Sequence, residues 1–254
     1  MAASVSASGE VEYDATRVAR LSPRAGGTAW RVDAEVGRAV KQGEVLALID
    51  SAEVGRAKAE LLQALAAVEQ RSRLVESQRS LVDAGEALVA IRSESAERVR
   101  ASWKDGFRTV SDVKDAEAGL AESRIQLAER QAASGEAESA VREARLHLLG
   151  AQQALVNLGM PVRADDLAGL TERDVAERLR FLGIPGAARA AFDPDTTSST
   201  LVPVVAPFDG VIVGREVVAG EQVDASKTLF VVADLRRMSV MLDLRQEDAP
   251  RVAV

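Results

Sequence analysis

A seven-residue apolar repeat that runs without proline from Glu53 to Leu158 limits this chain more than any other feature. Counting in sevens from Val54 gives Val54, Leu61, Val68, Val75, Val82, Val89 and Ala96, an unbroken apolar series. A second count gives Val113, Leu120, Leu127, Ser134, Val141, Leu148 and Leu155. The positions three later read Ala116, Ser123, Arg130, Ala137, Ala144, Ala151 and Leu158. A stripe held at this spacing over so many turns belongs to helices that supercoil left-handedly around a partner. The phase breaks at Trp103-Lys104-Asp105-Gly106-Phe107-Arg108-Thr109. There Gly106 can take a turn conformation, and Ser111 or Thr109 can cap the next helix. Two arms of about 50 residues, roughly 75 Å each at helical rise, predict an antiparallel coiled-coil hairpin over 53–158 with its tip at about 103–111.

Composition supports long helices over a thick globular core. Eight of 254 residues are aromatic and 45 are alanine, so cores must come from small and aliphatic side chains. Ala and Ser along the seam permit close helix approach, while Glu, Arg and Gln cover the outside. The hairpin on its own fits a plain spacer, and the flanks carry the rest of the information.

Residues 22–50 and 206–234 repeat one another. At an offset of 183 residues Gly27 matches Gly210, Gly37 matches Gly220, Val40 matches Val223 and Leu46 matches Leu229, with Pro23 and Pro207 one residue out of step. Short β-branched runs divided by single glycines are strands joined by tight turns. Neither half is long enough to bury a core alone, so the two are expected to pack as one small β-sandwich. Between hairpin and second half, Gly159 and Pro161 end the second arm. Thr171-Glu172-Arg173-Asp174 resembles a capping box for a short helix, Val175 to Leu182, stopped by Gly183 and Pro185. Residues 186–200 read as a loop. At the end, Met238, Val240, Leu242 and Leu244 alternate with Ser239, Met241, Asp243 and Arg245, the period-two pattern of a strand with one polar face.

Several function classes are excluded by composition. The chain has no cysteine and one histidine, His147, so disulfide frameworks, thiolate chemistry, multi-histidine zinc sites and His-based catalytic sets cannot be assembled. Asp and Glu are spread over helix surfaces with no nucleophile or His base beside them. A net charge of −7 argues against a nucleic-acid surface. Apolar stretches such as Leu201 to Pro207 are too short to span a bilayer, and the start lacks the parts of a signal peptide. No enzyme, cofactor or metal ligand set is expected. Met238 and Met241 fall on opposite faces of a strand and read as packing residues; His147 reads as a coiled-coil flank.

The order of these parts resembles a known family. Gly27-Thr-Ala-Trp-Arg-Val … Val36-Gly-Arg-Ala-Val-Lys-Gln-Gly-Glu-Val-Leu-Ala-Leu-Ile-Asp50, a long hairpin, then Ala206-Pro-Phe-Asp-Gly-Val-Ile-Val … Val218-Ala-Gly-Glu-Gln-Val223 looks like a biotinyl/lipoyl-like domain split by a coiled coil. That arrangement marks the periplasmic adaptor proteins, or membrane fusion proteins (HlyD-like), of tripartite efflux pumps. Gly9-Glu-Val-Glu-Tyr-Asp14 is similar to the heavy-metal-efflux branch of adaptors that serve RND transporters.

The resemblance implies an α+β fold: a split lipoyl-like sandwich, an inserted hairpin, and an incomplete β-barrel from the two chain ends. The implied divisions are 1–21, first strand region of the barrel; 22–52, lipoyl-like half 1; 53–158, hairpin; 159–202, connector; 203–235, lipoyl-like half 2; and 236–254, truncated barrel. Leu244-Arg245-Gln246-Glu247-Asp248 resembles the barrel's second strand and turn. Because the sequence stops before that barrel closes, a fragment of a longer adaptor is expected.

The implied function is that of a non-enzymatic periplasmic subunit associated with the inner membrane. It would link an RND-type inner-membrane transporter to an outer-membrane channel, exporting metal ions or small toxic compounds, and would self-associate into a ring of three or six copies. The alternatives are an adaptor of an ABC exporter or type I secretion system, and a coiled-coil scaffold without a transport role. In the family the hairpin tip docks on the channel, often through an Arg-x3-Leu-x6-Ser pattern. Aligned on Ser111, that pattern places Arg100 at the Arg position and Lys104 where Leu is expected, with Phe107 or Val110 supplying apolar contact. Read without the family, Arg100 is a solvated helix residue and Ser111 a helix cap. True lipoyl and biotin carriers modify a turn lysine; Lys41 lies in an earlier turn and reads as a solvent-facing residue.

Overall fold

In a computed structural model of the chain, residues 7–167, 169–189, 199–243 and 245 are described. They divide into two units: Met1–Lys58 with Leu155–Val254, and Ala59–Ala154.

The second unit is the coiled coil. α1 (Ala52–Lys104) and α2 (Val110–Asn157) contribute the two arms. The heptad positions are the ones withdrawn from solvent. In α1 these are Leu61, Val68, Val75, Val82, Val89 and Ala96, and in α2 they are Ser123, Ala137, Val141, Ala144 and Leu148. Arg130, polar within the seam series, turns its guanidinium across to the Leu81 carbonyl at 3.1 Å, and Arg71 reaches the Ala140 carbonyl at 3.0 Å from the other arm. Gly85 makes room for this crossing, since a side chain there would press on Leu127 and Arg130. One edge of the seam is bridged by ion pairs between the arms, Arg79 with Glu138 at 2.7 Å and Arg100 with Glu117.

The first unit is a sandwich of two four-stranded sheets. One has the order β2 (Val18–Leu21), β9 (Phe230–Ala233), β7 (Gly210–Arg215), β4 (Ala39–Val40), and the other β6 (Leu201–Val205), β5 (Val45–Asp50), β3 (Gly27–Val32), β8 (Gln222–Val223). The core between them takes Ala29, Leu46 and Ile49 from one half and Ile212, Phe230 and Val232 from the other.

The repeat seen in the glycines extends through the whole sandwich. β3 pairs β5 at Ala29↔Ile49 and Arg31↔Leu48 with a bulge between, and 183 residues later β7 pairs β9 at Ile212↔Val232 and Gly214↔Val231 with the same bulge. The Gly37 N–H donates to the Ile212 carbonyl at 2.8 Å, and the Gly220 N–H to the Ala29 carbonyl at 2.7 Å. Gly37 and Gly220 both sit at positive φ, 89° and 86°, which a side chain would strain. A Cβ on Gly27 would run into the Asp50 carbonyl oxygen, and one on Gly210 into the Ala233 carbonyl oxygen, again a matched pair.

Three expectations need correction here. Val18–Leu21, assigned to the barrel region, is a sandwich strand: Val18↔Ala233 and Leu21↔Phe230 reproduce the pairing of Leu201 with Asp50 and Val204 with Ala47. The connector helix α3 spans Glu172–Arg180 rather than 175–182, because Thr171 is its N-cap, accepting from the Asp174 N–H at 3.2 Å, so the first turn precedes the first apolar residue. Gly186–Arg189, read as loop, forms a short helix, α4. The Asp193–Ser198 stretch and all of Leu244–Asp248 except Arg245 lie outside the described residues.

At each end of the repeat two segments leave the sandwich side by side. Where β5 enters α1, the Ser51 N–H donates to the Thr200 carbonyl at 3.1 Å; the equivalent exit joins the Asp234 N–H to the Arg17 carbonyl at 3.0 Å. That second exit is clamped by charge. Asp234 accepts from Arg17 Nη1 at 2.6 Å and Arg236 Nε at 2.8 Å, and the Arg236 guanidinium holds its carboxyl well below the usual range. It leads into a two-stranded ribbon of β1 (Ser8–Tyr13) and β10 (Met238–Asp243), with Val11 opposite Val240 and Tyr13 opposite Met238. The ribbon closes into no barrel among the described residues, and both its strands are exposed throughout.

Candidate partner interface at the hairpin tip

The turn between the arms is built from two standard helix ends. α1 stops because Gly106 takes φ 82°; its N–H donates to the Trp103 carbonyl at 3.0 Å, and the Phe107 N–H to the Ser102 carbonyl at 2.9 Å. This crossed pair is a Schellman end. An apolar residue usually lies under the one that follows the glycine, but here that place is Ser102, so Phe107 has nothing to fold onto and is 82% exposed. Thr109 then caps α2. Its hydroxyl accepts from the Asp112 N–H at 3.2 Å while its own N–H donates to Asp112 Oδ2 at 2.9 Å. Those bonds to Thr109, with the charge of Arg108, lower the Asp112 carboxyl from its ordinary value.

The expected residues separate into two kinds of environment. Ser111 is not the cap; it lies exposed on the first turn of α2. Val110 and Phe107 are exposed, as is Lys104 in the last turn of α1, where its charge suits the helix C-terminus. Arg100 differs: one turn below, it is ion-paired with Glu117 across the arms. Trp103, absent from the expected set, is 42% exposed at the end of α1. Two of the chain's eight aromatic residues thus stand within five positions at one solvent-facing turn, and that clustering of a scarce residue type is the signal by which Trp103 could have been found. Such a surface, apolar at its crown and cationic at its rim, suits a protein partner.

Elsewhere the described residues bring together no group of three or more His, Asp or Glu side chains that could hold a metal ion. His147 is exposed beside the Leu148 seam position, and Lys41 is exposed in a turn where its N–H donates to Glu44 Oε2 at 3.0 Å. No helix among the described residues is long and apolar enough to cross a membrane.

A split sandwich, an inserted coiled coil and a ribbon of the chain ends define the architecture of membrane fusion proteins. The sequence belongs to the CzcB-like barrel-sandwich hybrid domain family, whose model matches residues 17–234. It is a membrane fusion (adaptor) protein of efflux systems. Among solved structures it is similar to ZneB from Cupriavidus metallidurans, with 20% identity over 97% of this chain and 72% of that one and a TM-score of 0.50. It also matches the periplasmic adaptor protein EmrA, with 18% identity, 98% and 82% coverage and a TM-score of 0.35. The membrane fusion protein Spr0693 from Streptococcus pneumoniae R6 matches with 14% identity, 96% and 73% coverage and a TM-score of 0.42. No curated protein sequence matches.

Proposed function

We propose that this chain is the periplasmic adaptor of a tripartite pump, joining an RND-type inner-membrane transporter to an outer-membrane channel for export of metal ions or small toxic compounds. It works as a ring of copies held at the inner membrane and performs no chemistry of its own; the transporter supplies the energy. The hairpin tip makes the contact with the channel. Ser111 and Lys104 hydrogen-bond the channel's helix ends, Arg100 supports them through its pair with Glu117, and Phe107 and Val110 seat in an apolar depression. The observation that carries this reading is the open tip, where the backbone turn is satisfied internally while Phe107, Val110 and Ser111 face solvent. Metal ions are favoured as cargo by the resemblance of Gly9-Glu-Val-Glu-Tyr-Asp14 to the heavy-metal-efflux branch.

The 254-residue sequence has no cysteine, so Phe107→Cys supplies a thiol unique within it. A cross-link from it to the channel in whole cells is expected. Phe107→Asp, which loses apolar burial of about 1.5–3 kcal/mol, is expected to lower pump-dependent resistance at least about tenfold without changing protein level. A cross-link to no channel, with full resistance in Phe107→Asp, sinks the reading.

A further inference from the structure

The Schellman end of α1 lacks the contact that commonly completes it. In that motif the residue after the glycine lays an apolar side chain back on the last turns of the helix, five or six positions before it. Here those two positions hold Ser102 and Ala101, which offer a phenyl ring almost nothing to cover. The backbone half of the motif is intact, with the Phe107 N–H on the Ser102 carbonyl at 2.9 Å and the Gly106 N–H on the Trp103 carbonyl at 3.0 Å. The chain is therefore fixed at Phe107 while its ring is the most exposed large apolar side chain among the described residues. On a continuous helix Trp103, four residues earlier, would be its neighbour. Gly106 at φ 82° breaks the helix between them, and Trp103 stays exposed as well. Phe181 and Phe230, by contrast, are buried.

We propose that Ser102 is a positioning residue: its small side chain keeps the Phe107 ring off the end of α1 and holds it outward as a preformed anchor for an apolar socket, one ring wide, on the channel. This rests on the tip docking proposed above and adds how the anchor is presented. The contact is made by the side chain alone, because the Phe107 N–H is already committed to Ser102. A ring carried on a hydrogen-bonded turn needs little ordering when it binds. Leucine suits a helix at least as well as serine, so nothing in the backbone demands the smaller residue. A leucine at 102 would give the ring a surface to fold onto, and docking would first have to lift it off. If the ring were free only about a tenth of the time, apparent affinity would fall about tenfold.

The test uses the full chain in whole cells with Lys114→Cys as a cross-linking reporter, since the sequence has no cysteine of its own and Lys114 is exposed near the start of α2, outside the docking set. Ser102→Leu is expected to lower the cross-link to the channel and pump-dependent resistance about tenfold, while Ser102→Ala leaves both unchanged. In the purified Ser102→Leu protein, nuclear Overhauser contacts are expected between the new leucine methyls and the Phe107 ring. In a Phe107→Ala background the leucine is expected to cost nothing further, because the ring it would capture is gone. A ring that folds onto the leucine while cross-link and resistance stay whole overturns the proposal and leaves the tip docking standing. So does a ring that never touches the leucine, or a further loss in the Phe107→Ala background. A reporter that cross-links to no channel in the parent chain removes the tip docking and this proposal together.

Discussion

Lys58 carries an ammonium into the packed base of α1, where the residue is 2% exposed and donates to the Ser199 carbonyl at 2.7 Å. No carboxylate pairs with it among the described residues, so burial pushes its pKa down from 10.5 to about 8. The unfolded chain holds that proton up to about pH 10.5 and the folded chain only to about 8, so between the two the unfolded state binds more protons and stability rises with pH. Urea midpoints measured at pH 7 and pH 10 are expected to increase less in Lys58→Met than in the parent chain. An equal increase in both assigns the rise to other groups. Nothing in the sequence marked this residue. It adjoins the seam at Ala57 and reads as a flank; what buries it is the connector, whose return to the root of α1 has no local signature. Asp234 was hidden in the same way, because its role depends on Arg17, which lies 217 residues away.

The arms of the hairpin were the most legible elements, since each seam position follows from counting in sevens and burial tracks the count residue by residue. The tip was harder. Thr109 and Ser111 are both good caps, and the deciding feature lay three residues on, where Asp112 can answer Thr109 but Lys114 cannot answer Ser111. The glycines within the arms separate by the space around them. Gly135 and Gly150 in α2 have nothing within 4 Å of where a Cβ would be, so they contribute only their poor helix propensity. Gly135→Ala with Gly150→Ala is expected to stabilise the chain by roughly 1–2 kcal/mol, read as a higher denaturation midpoint. Gly106 also has open space around it, but its φ of 82° penalises a side chain. Gly106→Ala is therefore expected to cost about 1–2 kcal/mol and to speed amide exchange at the tip. A double alanine variant no more stable than the parent shows that those turns of α2 need glycine for another reason.

Across the molecule, the repeat explains why two segments more than 150 residues apart form one domain. Its glycines made the turns legible, but β2 and β6 went unpaired on paper because neither carries a glycine or a distinctive spacing; their equivalence emerges only from matched registers. Of the six strand pairings in the sandwich among the described residues, β2–β9, β4–β7, β5–β6 and β3–β8 join one half to the other, while β3–β5 and β7–β9 stay within a half. The core is shared in the same manner, so neither half buries Ile49 or Phe230 without the other. The covalent link through the hairpin should then be dispensable for holding the sandwich together. Residues 1–105 and 106–254, produced as separate chains, are expected to co-purify through a tag on either one and to regain the circular dichroism of the intact protein. Ile212→Ala in the second piece opens a core cavity costing roughly 2–5 kcal/mol, and is expected to weaken that association at least tenfold, since the loss falls on the complex and not on the separated chains. Pieces that separate in native buffer show that the connection through the tip unites the two halves, and pieces that hold together equally well with Ile212→Ala show that the paired arms, rather than the exchanged strands, do so.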